Sequence, residues 1–368
     1  MHPTITFLRT RGLAVSKRRT FARVLAAAAV ALPVVLVAGT SEARTLDCLP
    51  VTDDWEYVEH DVAGYAVDVN NAGQIVGGLA QEPGSRRQAF VWQNGNLTRL
   101  PALTPQGEAA VRAIDDQGRV VGSDVYSYLT PEGVLWENGR ARHLPGGLPN
   151  AIGKGVIAGN GVEKVGPPAY VLGKAMRWTG SAWTDLNVTR GSETIDANEA
   201  GQITGTHKID TSAPHPTRQL AERAYVWSAG SVRELGTLGG GWSSAKAMND
   251  LGHVIGHSGT ATDHRAFPFL WTPSAGIKPL ALDDIAFGAA ADINDAGTIV
   301  GSYSCQGHSS SPSFPVVWTS PDALPLLLPA PSATLIDAVA INDNGLIAGS
   351  VWTASGPRLV TWRPKPAR

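Results

Sequence analysis

The chain has 368 residues, with 30 basic and 32 acidic side chains, 17% charged residues, 41 glycines, 25 prolines and two cysteines. This balance excludes a basic nucleic-acid surface, and two cysteines are too few for a disulfide scaffold. The glycine and proline content suits many short strands joined by turns.

In chain order, residues 1–43 read as a signal peptide. Arg9, Arg11, Lys17, Arg18, Arg19 and Arg23 precede an apolar run from Val24 to Ala38, and Ser41-Glu42-Ala43 offers the small residues that a signal peptidase reads. The mature chain is expected to start at Arg44, because the run of 15 residues is short for a bilayer span of about 20. Arg18-Arg19-Thr20-Phe21 fits the twin-arginine pattern, and an ordinary Sec signal with orienting arginines fits as well. Asp47 stands where a lipoprotein site has a small residue before its cysteine, Cys48, so no lipid anchor is expected. Without the leader, 24 basic and 31 acidic side chains remain, a formal charge of −7. The expectation is a soluble, monomeric, extracytoplasmic protein with no membrane anchor. In that oxidising compartment Cys48 and Cys305 form one disulfide or stay as a pair of unlinked thiols.

One phrase then recurs along the chain: an apolar run, a polar turn closed by glycine, and a second apolar run. Its cleanest copy is Asp292-Ile293-Asn294-Asp295-Ala296-Gly297-Thr298-Ile299-Val300-Gly301, the pattern of a β-hairpin. The turn glycines Gly73, Gly118, Gly155, Gly201, Gly252, Gly297 and Gly345 lie 45, 37, 46, 51, 45 and 48 residues apart, a period of repeat architectures. The third copy, Ala151 to Gly159, is worn. A third apolar run in each repeat ends in Trp92, Trp136, Trp178, Trp227, Trp271, Trp318 or Trp362, so seven of the eleven tryptophans hold one repeat position. A fourth run follows six of them, giving four antiparallel strands A, B, C and D per repeat.

Four strands per roughly 45 residues is the period of a propeller blade. The seventh repeat stops soon after Trp362 with Arg363-Pro364-Lys365-Pro366 and lacks a D strand, whereas Trp55-Glu56-Tyr57-Val58 precedes the first hairpin without a place in its own repeat. The fold is therefore read as all-β, a seven-bladed β-propeller of four-stranded antiparallel blades over residues 44–368, closed by Trp55–Val58 completing the last blade. This closure would place Cys48 near the B strand that ends before Cys305, which favours the bridge.

The sequence Ile-Asn-x-x-Gly-x-Ile-Val-Gly, then Ala-Phe-x-Trp, then Leu235-Gly-Thr-Leu-Gly-Gly240 resembles the HAF-repeat family of predicted extracellular bacterial proteins. The fifth repeat, with Asn249, Gly252, His264-Arg265-Ala266-Phe267 and Trp271, matches best, while elsewhere the namesake tripeptide becomes Gln88-Ala89-Phe90 or Arg223-Ala224-Tyr225. The resemblance implies secretion and a repeat fold, and it carries no catalytic residues to transfer.

Candidate chemistry is sparse. Asp68-x-Asn70, Asp196-x-Asn198 and Asp292-x-Asn294 have the alternating oxygens of a calcium loop, but alanine holds the fifth position and no glutamate ends the loop. They read as capped turns, and no metal or cofactor is expected. No Gly-x-Ser-x-Gly elbow supports a serine nucleophile. The A-B and C-D turns are short and uniform, whereas the B-C and D-A connections are long and variable, so binding is expected on the long-loop face. Trp242 in a D-to-A connection, His257, His264, Tyr303 and His308 are the candidate ligand-binding residues there. The function expected is a non-catalytic scaffold binding a glycan or a protein partner. The alternative is a propeller hydrolase or lyase acting on an extracellular polysaccharide, with Asp283 and Asp284 beside His264 or His308.

Overall fold

A computed structural model describes residues 49–366 except 82–85, 126–130, 167–168, 190, 210–220, 262–264, 284–285, 305–312 and 332–334. Among the described residues there is no helix, hence none long and apolar enough to cross a membrane, and the named strands all pair antiparallel. The signal peptide, Cys48, Cys305, His264 and His308 lie outside the described residues, and the disulfide expectation with them.

Repeats 2 to 6 each form a separate four-stranded sheet in the order A-B-C-D. In repeat 5 these strands are Gly239–Met248, Val254–Thr260, Ala266–Thr272 and Gly276–Pro279. The C-D turns of repeats 1, 2 and 4 place Asn94-Gly95, Asn138-Gly139 and Ala229-Gly230 at positive φ, the backbone that a two-residue hairpin requires. The remaining sheet has seven strands and joins repeats 7 and 1. Its central strand, Trp55–Val69, begins against the last strand of the chain, with Tyr57 opposite Trp362 and Val58 opposite Thr361. It continues as the A strand of repeat 1, with Tyr65 opposite Gly78. Trp55–Val58 thus lies beside the run ending at Trp362, where the repeat pattern leaves a strand unfilled. Tyr57 meets Trp362 edge-on at 5.8 Å, and Trp55 Nε1 donates to the Gly345 carbonyl at 3.0 Å.

Each sheet buries its face against the next. Val300 and Val317 of repeat 6 pack with Ile336, Ile347 and Trp362 of repeat 7, and the seven repeat tryptophans are all buried. Truncating a buried indole of this kind to alanine costs about 3 to 5 kcal/mol.

The hairpins share a feature that the pattern did not predict. Each A strand carries a β-bulge just before its turn: the register shifts between Ala66 and Asp68, Val111 and Ala113, Thr194 and Asp196, Ala245 and Ala247, Ala290 and Asp292, and Ala338 and Ala340. Repeat 3 shifts at the same place, skipping Asn150. A bulge bends the strand and drives a carbonyl toward the partner strand. A Cβ on Gly301 would overlap the Ala289 carbonyl oxygen, and the same holds for Gly77 with Tyr65, Gly122 with Ala110, Gly205 with Glu193, Gly256 with Ser244 and Gly349 with Asp337. This explains the glycine that closes each Ile-Val-Gly phrase: only a residue without a side chain admits the bulged carbonyl. Gly301→Ala is expected to cost about 2 kcal/mol or more, read as a lower urea midpoint, whereas Gly95→Ala, on an open turn, meets no overlap and incurs only the strain of an alanine at positive φ.

Candidate functional site

The A-B hairpin turns gather at one end of the sheets and are tied to one another by their asparagines. Within a turn, Asn294 Oδ1 accepts the Thr298 N–H at 2.9 Å, and its Nδ2 donates to the Asn342 carbonyl of the next repeat at 3.1 Å. Asn342 passes the same bond to the Asn70 carbonyl (2.9 Å), Asn70 to Asp115 (2.9 Å), Asn198 to Asn249 (3.0 Å) and Asn249 to Asn294 (3.0 Å). Repeat 2 has Asp115 in place of asparagine. An ionised carboxylate cannot donate, and Arg119, paired with Asp115 at 2.7 Å, reaches the Gly153 carbonyl instead at 3.4 Å. Outside this layer a second one joins backbone to carboxylate: Glu199 N–H to Asp250, Asp250 to Asp295 and Asp295 to Asp343, each at 2.8 Å.

Asp68, Asp196 and Asp292 stand deeper. Each Oδ1 accepts the following N–H of its own strand, and each Oδ2 accepts an N–H of the next repeat, from Ile114, Met248 and Ile341 respectively, at 2.8 to 2.9 Å. These side chains are half-buried and ringed by protein. Burial raises Asp68 to about 7 and Asp196 to about 6, and pushes Asp292 well above the carboxylate range. Asp68 and Asp292 also feel the Asp196 charge, and Asp292 that of Asp68. Carboxylates from repeats 1, 4 and 6 thus repel one another. Both oxygens of each are engaged by backbone, so they join repeats, in keeping with the capped-turn reading of the calcium-like phrases.

The opposite end of the A and B strands, toward the B-C and D-A connections, carries exposed aromatic surface. Tyr65 and Trp352, each more than a third exposed, lie nearly parallel across the junction of repeats 1 and 7, with ring centroids 6.4 Å apart and 15° between planes. That separation lies within the range of about 4.5 to 7 Å of interacting aromatic pairs, so the rings stack with a lateral offset and each keeps exposed surface. Tyr65 lies flat over Gly78, where any side chain would collide with its ring. Trp352 Nε1 donates to Asp337 Oδ2 at 2.8 Å, and burial raises the Asp337 carboxyl. Leu335, more than half exposed, sits opposite Trp352 on the same sheet face.

Of the residues singled out from sequence, Trp242 lies in the A strand of repeat 5 and not in a D-to-A connection. The glycine run 239–241 extends the strand, and Ser258 Oγ donates to the Trp242 carbonyl at 3.1 Å. Trp242 is half-buried with its indole against Gly259. His257 is in the B strand opposite Ser244, and burial, then the Lys246 charge, lowers its pKa. Tyr303 is buried at 1% exposure in the core of repeat 6, its hydroxyl donating to Asp283 Oδ2 at 3.1 Å. Burial and Asp283 raise it to about 12. The sequence reasoning missed Tyr65, Asp337 and Trp352. The signal available was Trp352 itself, a tryptophan outside the repeat position just past a B-strand glycine.

Raised carboxyl values have a definite consequence for stability. Between the ordinary value of 3.8 and about 6 to 7, folded Asp68 and Asp196 hold protons that the unfolded chain has released. Their contribution is therefore present at low pH and lost as pH rises through that window. Thermal melts of wild type and Asp68→Asn should show the wild type losing stability relative to the variant between pH 4.5 and pH 8. A constant difference would contradict this assignment.

No protein-family model matches the chain, and no curated protein sequence matches it. Among solved structures, it is similar to the β-propeller domain of the Trilobed protease from Pyrococcus furiosus, with 11% identity and TM-score 0.55 over 84% of this chain and 96% of that one. It is similar to a prolyl endopeptidase (11% identity, TM-score 0.56, 83% of this chain), spanning only 51% of that chain. YCF48 bound to D1 peptide matches at 12% identity and TM-score 0.52, over 86% of this chain and all of the other. The shared feature is the fold: the chain is an all-β protein of four-stranded antiparallel sheets arranged as in a β-propeller.

Proposed function

We propose that the protein is an exported, non-catalytic binding scaffold, a seven-bladed propeller closed by Trp55–Val58, that engages a protein or glycan partner at its long-loop end. The observation that carries this reading is the Tyr65 and Trp352 pair, two large amphipathic rings stacked across a junction of repeats and each more than a third exposed. Rings of this kind are enriched where proteins bind partners. The strongly shifted carboxyls Asp68, Asp196 and Asp292 support a non-catalytic role, because their oxygens are already engaged by backbone N–H groups. The leader of residues 1–43 and the HAF-repeat resemblance support export, and the peptide held by the similar YCF48 structure supports a peptide segment as one form of partner.

The test is binding of the mature protein to oligosaccharide and peptide arrays, with Tyr65→Ala/Trp352→Ala beside wild type. The double variant should lose about tenfold or more in affinity while melting cooperatively. Equal binding by both proteins, or amide protection confined to the hairpin-turn end, would overturn the assignment.

A further inference from the structure

A carboxylate stands beside the exposed aromatic pair. Asp337 holds in repeat 7 the place that Tyr65 holds in repeat 1, each lying opposite the residue that follows the B-strand glycine, Ser350 and Gly78 respectively. The two A strands are neighbours, and Trp352 adjoins both side chains, stacking with Tyr65 and donating its Nε1–H to Asp337 Oδ2 at 2.8 Å. None of the other six repeats has an aromatic residue at the place of Tyr65 or at that of Trp352, so the cluster is an addition to the packing that the repeats share.

Asp337 is left with unused capacity. An ionised carboxylate only accepts hydrogen bonds, at two oxygens, and here Oδ2 alone has a donor among the described residues, while Oδ1 is not sealed from solvent. The charge also lacks a counter-ion on its own sheet face. Arg358, on the adjoining strand, lies opposite Val351 and therefore on the other face from Trp352, and its guanidinium is shared between Glu59 at 3.7 Å and Asp61 at 3.5 Å. Elsewhere the chain supplies its own cations to indoles: Arg177 lies 5.1 Å from the Trp227 ring centre and Arg233 4.8 Å from that of Trp271. Among the described residues, none lies over Tyr65 or Trp352 in this way.

We infer that Tyr65, Trp352 and Asp337 together receive an arginine or lysine side chain of a partner protein, its stem on Leu335 and the rings and its charged head at Asp337 Oδ1. This occupant presupposes the long-loop site proposed above. The ring faces carry the negative side of the aromatic quadrupole and attract a cation. Leu335, more than half exposed on the same face, gives an aliphatic stem apolar surface to cover. A neutral polyol would leave the Asp337 charge uncompensated, and an anion would be repelled by it. Burial disfavours that charge while no cation lies beside it, a cost that a bound guanidinium or ammonium offsets. The formal charge of −7 on the chain without its leader favours the approach of a basic partner.

The probes are Nα-acetyl-arginine amide, Nα-acetyl-lysine amide and Nα-acetyl-citrulline amide, the last having nearly the shape of the first without its charge. Each is titrated into the mature protein while the Trp352 indole N–H resonance, assigned by its loss in Trp352→Phe, is followed by NMR. The arginine and lysine amides should shift it saturably, and the citrulline amide should bind about tenfold more weakly than the arginine amide. Asp337→Asn, which keeps an oxygen to accept the Trp352 Nε1–H, should weaken arginine binding severalfold and remove the preference over citrulline. Tyr65→Ala should weaken arginine binding severalfold as well. No saturable shift with either cationic amide, equal affinity for arginine and citrulline amides, or unchanged arginine binding in Asp337→Asn would overturn the inference. Array binding of a neutral glycan or peptide that still depends on Tyr65 and Trp352 would then leave the long-loop site standing, whereas array binding indifferent to both rings would remove the site and its occupant together.

Discussion

The arrangement of the sheets depends on an asparagine that bonds its own turn and the next repeat together. At the innermost turn the asparagine carbonyl accepts the N–H of its turn glycine, as Asn342 does from Gly345 at 3.0 Å, and its second lone pair takes a bond from the neighbouring repeat. The preceding repeat's asparagine supplies that second donor, which pairs its own buried amide, while its oxygen caps the local turn. One side chain thus sets the turn and the distance to the next sheet together. Because Asn342 donates to the Asn70 carbonyl, the last hairpin is joined to the first by the same bond that joins the others in series. The exchange of asparagine for Asp115 in repeat 2 is compensated by Arg119, which indicates that the bond between repeats matters more than the residue that makes it.

That layer positions the aromatic end. The strand Trp55–Val69 is held at its beginning by the last strand of the chain and at its end by the hairpin of repeat 1, so Tyr65 is carried on backbone fixed from both sides. Trp352 is fixed by Asp337, and the Ala66 N–H donates to Ser350 Oγ at 3.0 Å across the junction. A ligand meeting these rings would therefore meet a pre-ordered surface, and little ordering entropy would oppose binding.

Much of the fold was legible because each repeat states it again. The turn glycines, the terminal tryptophans and the orphan Trp55–Val58 run are local signals, and seven copies make local signals strong. The bulges were not legible, since an extra residue in one strand leaves the apolar pattern nearly intact; their trace was the glycine of Ile-Val-Gly, whose reason lies on the partner strand. The carboxylates Asp68, Asp196 and Asp292 looked like part of their own turns, but half of their bonding is to the next repeat, which no single repeat reveals. Trp242 fell in a D-to-A connection by its position in the repeat, whereas the A strand of repeat 5 begins earlier, at Gly239, since glycine tolerates extended backbone as readily as a turn. Tyr65 and Trp352 come together from residues far apart in the chain, so their proximity had no sequence signature.

The most direct test of this account is native-state hydrogen exchange of the mature protein, resolved for residues 55–59. If the beginning of the chain is an integral strand of the last sheet, its amides exchange as slowly as those of residues 360–363, their partners across the ladder. Exchange of residues 55–59 at the rate of a free tail, while residues 360–363 stay protected, would contradict it.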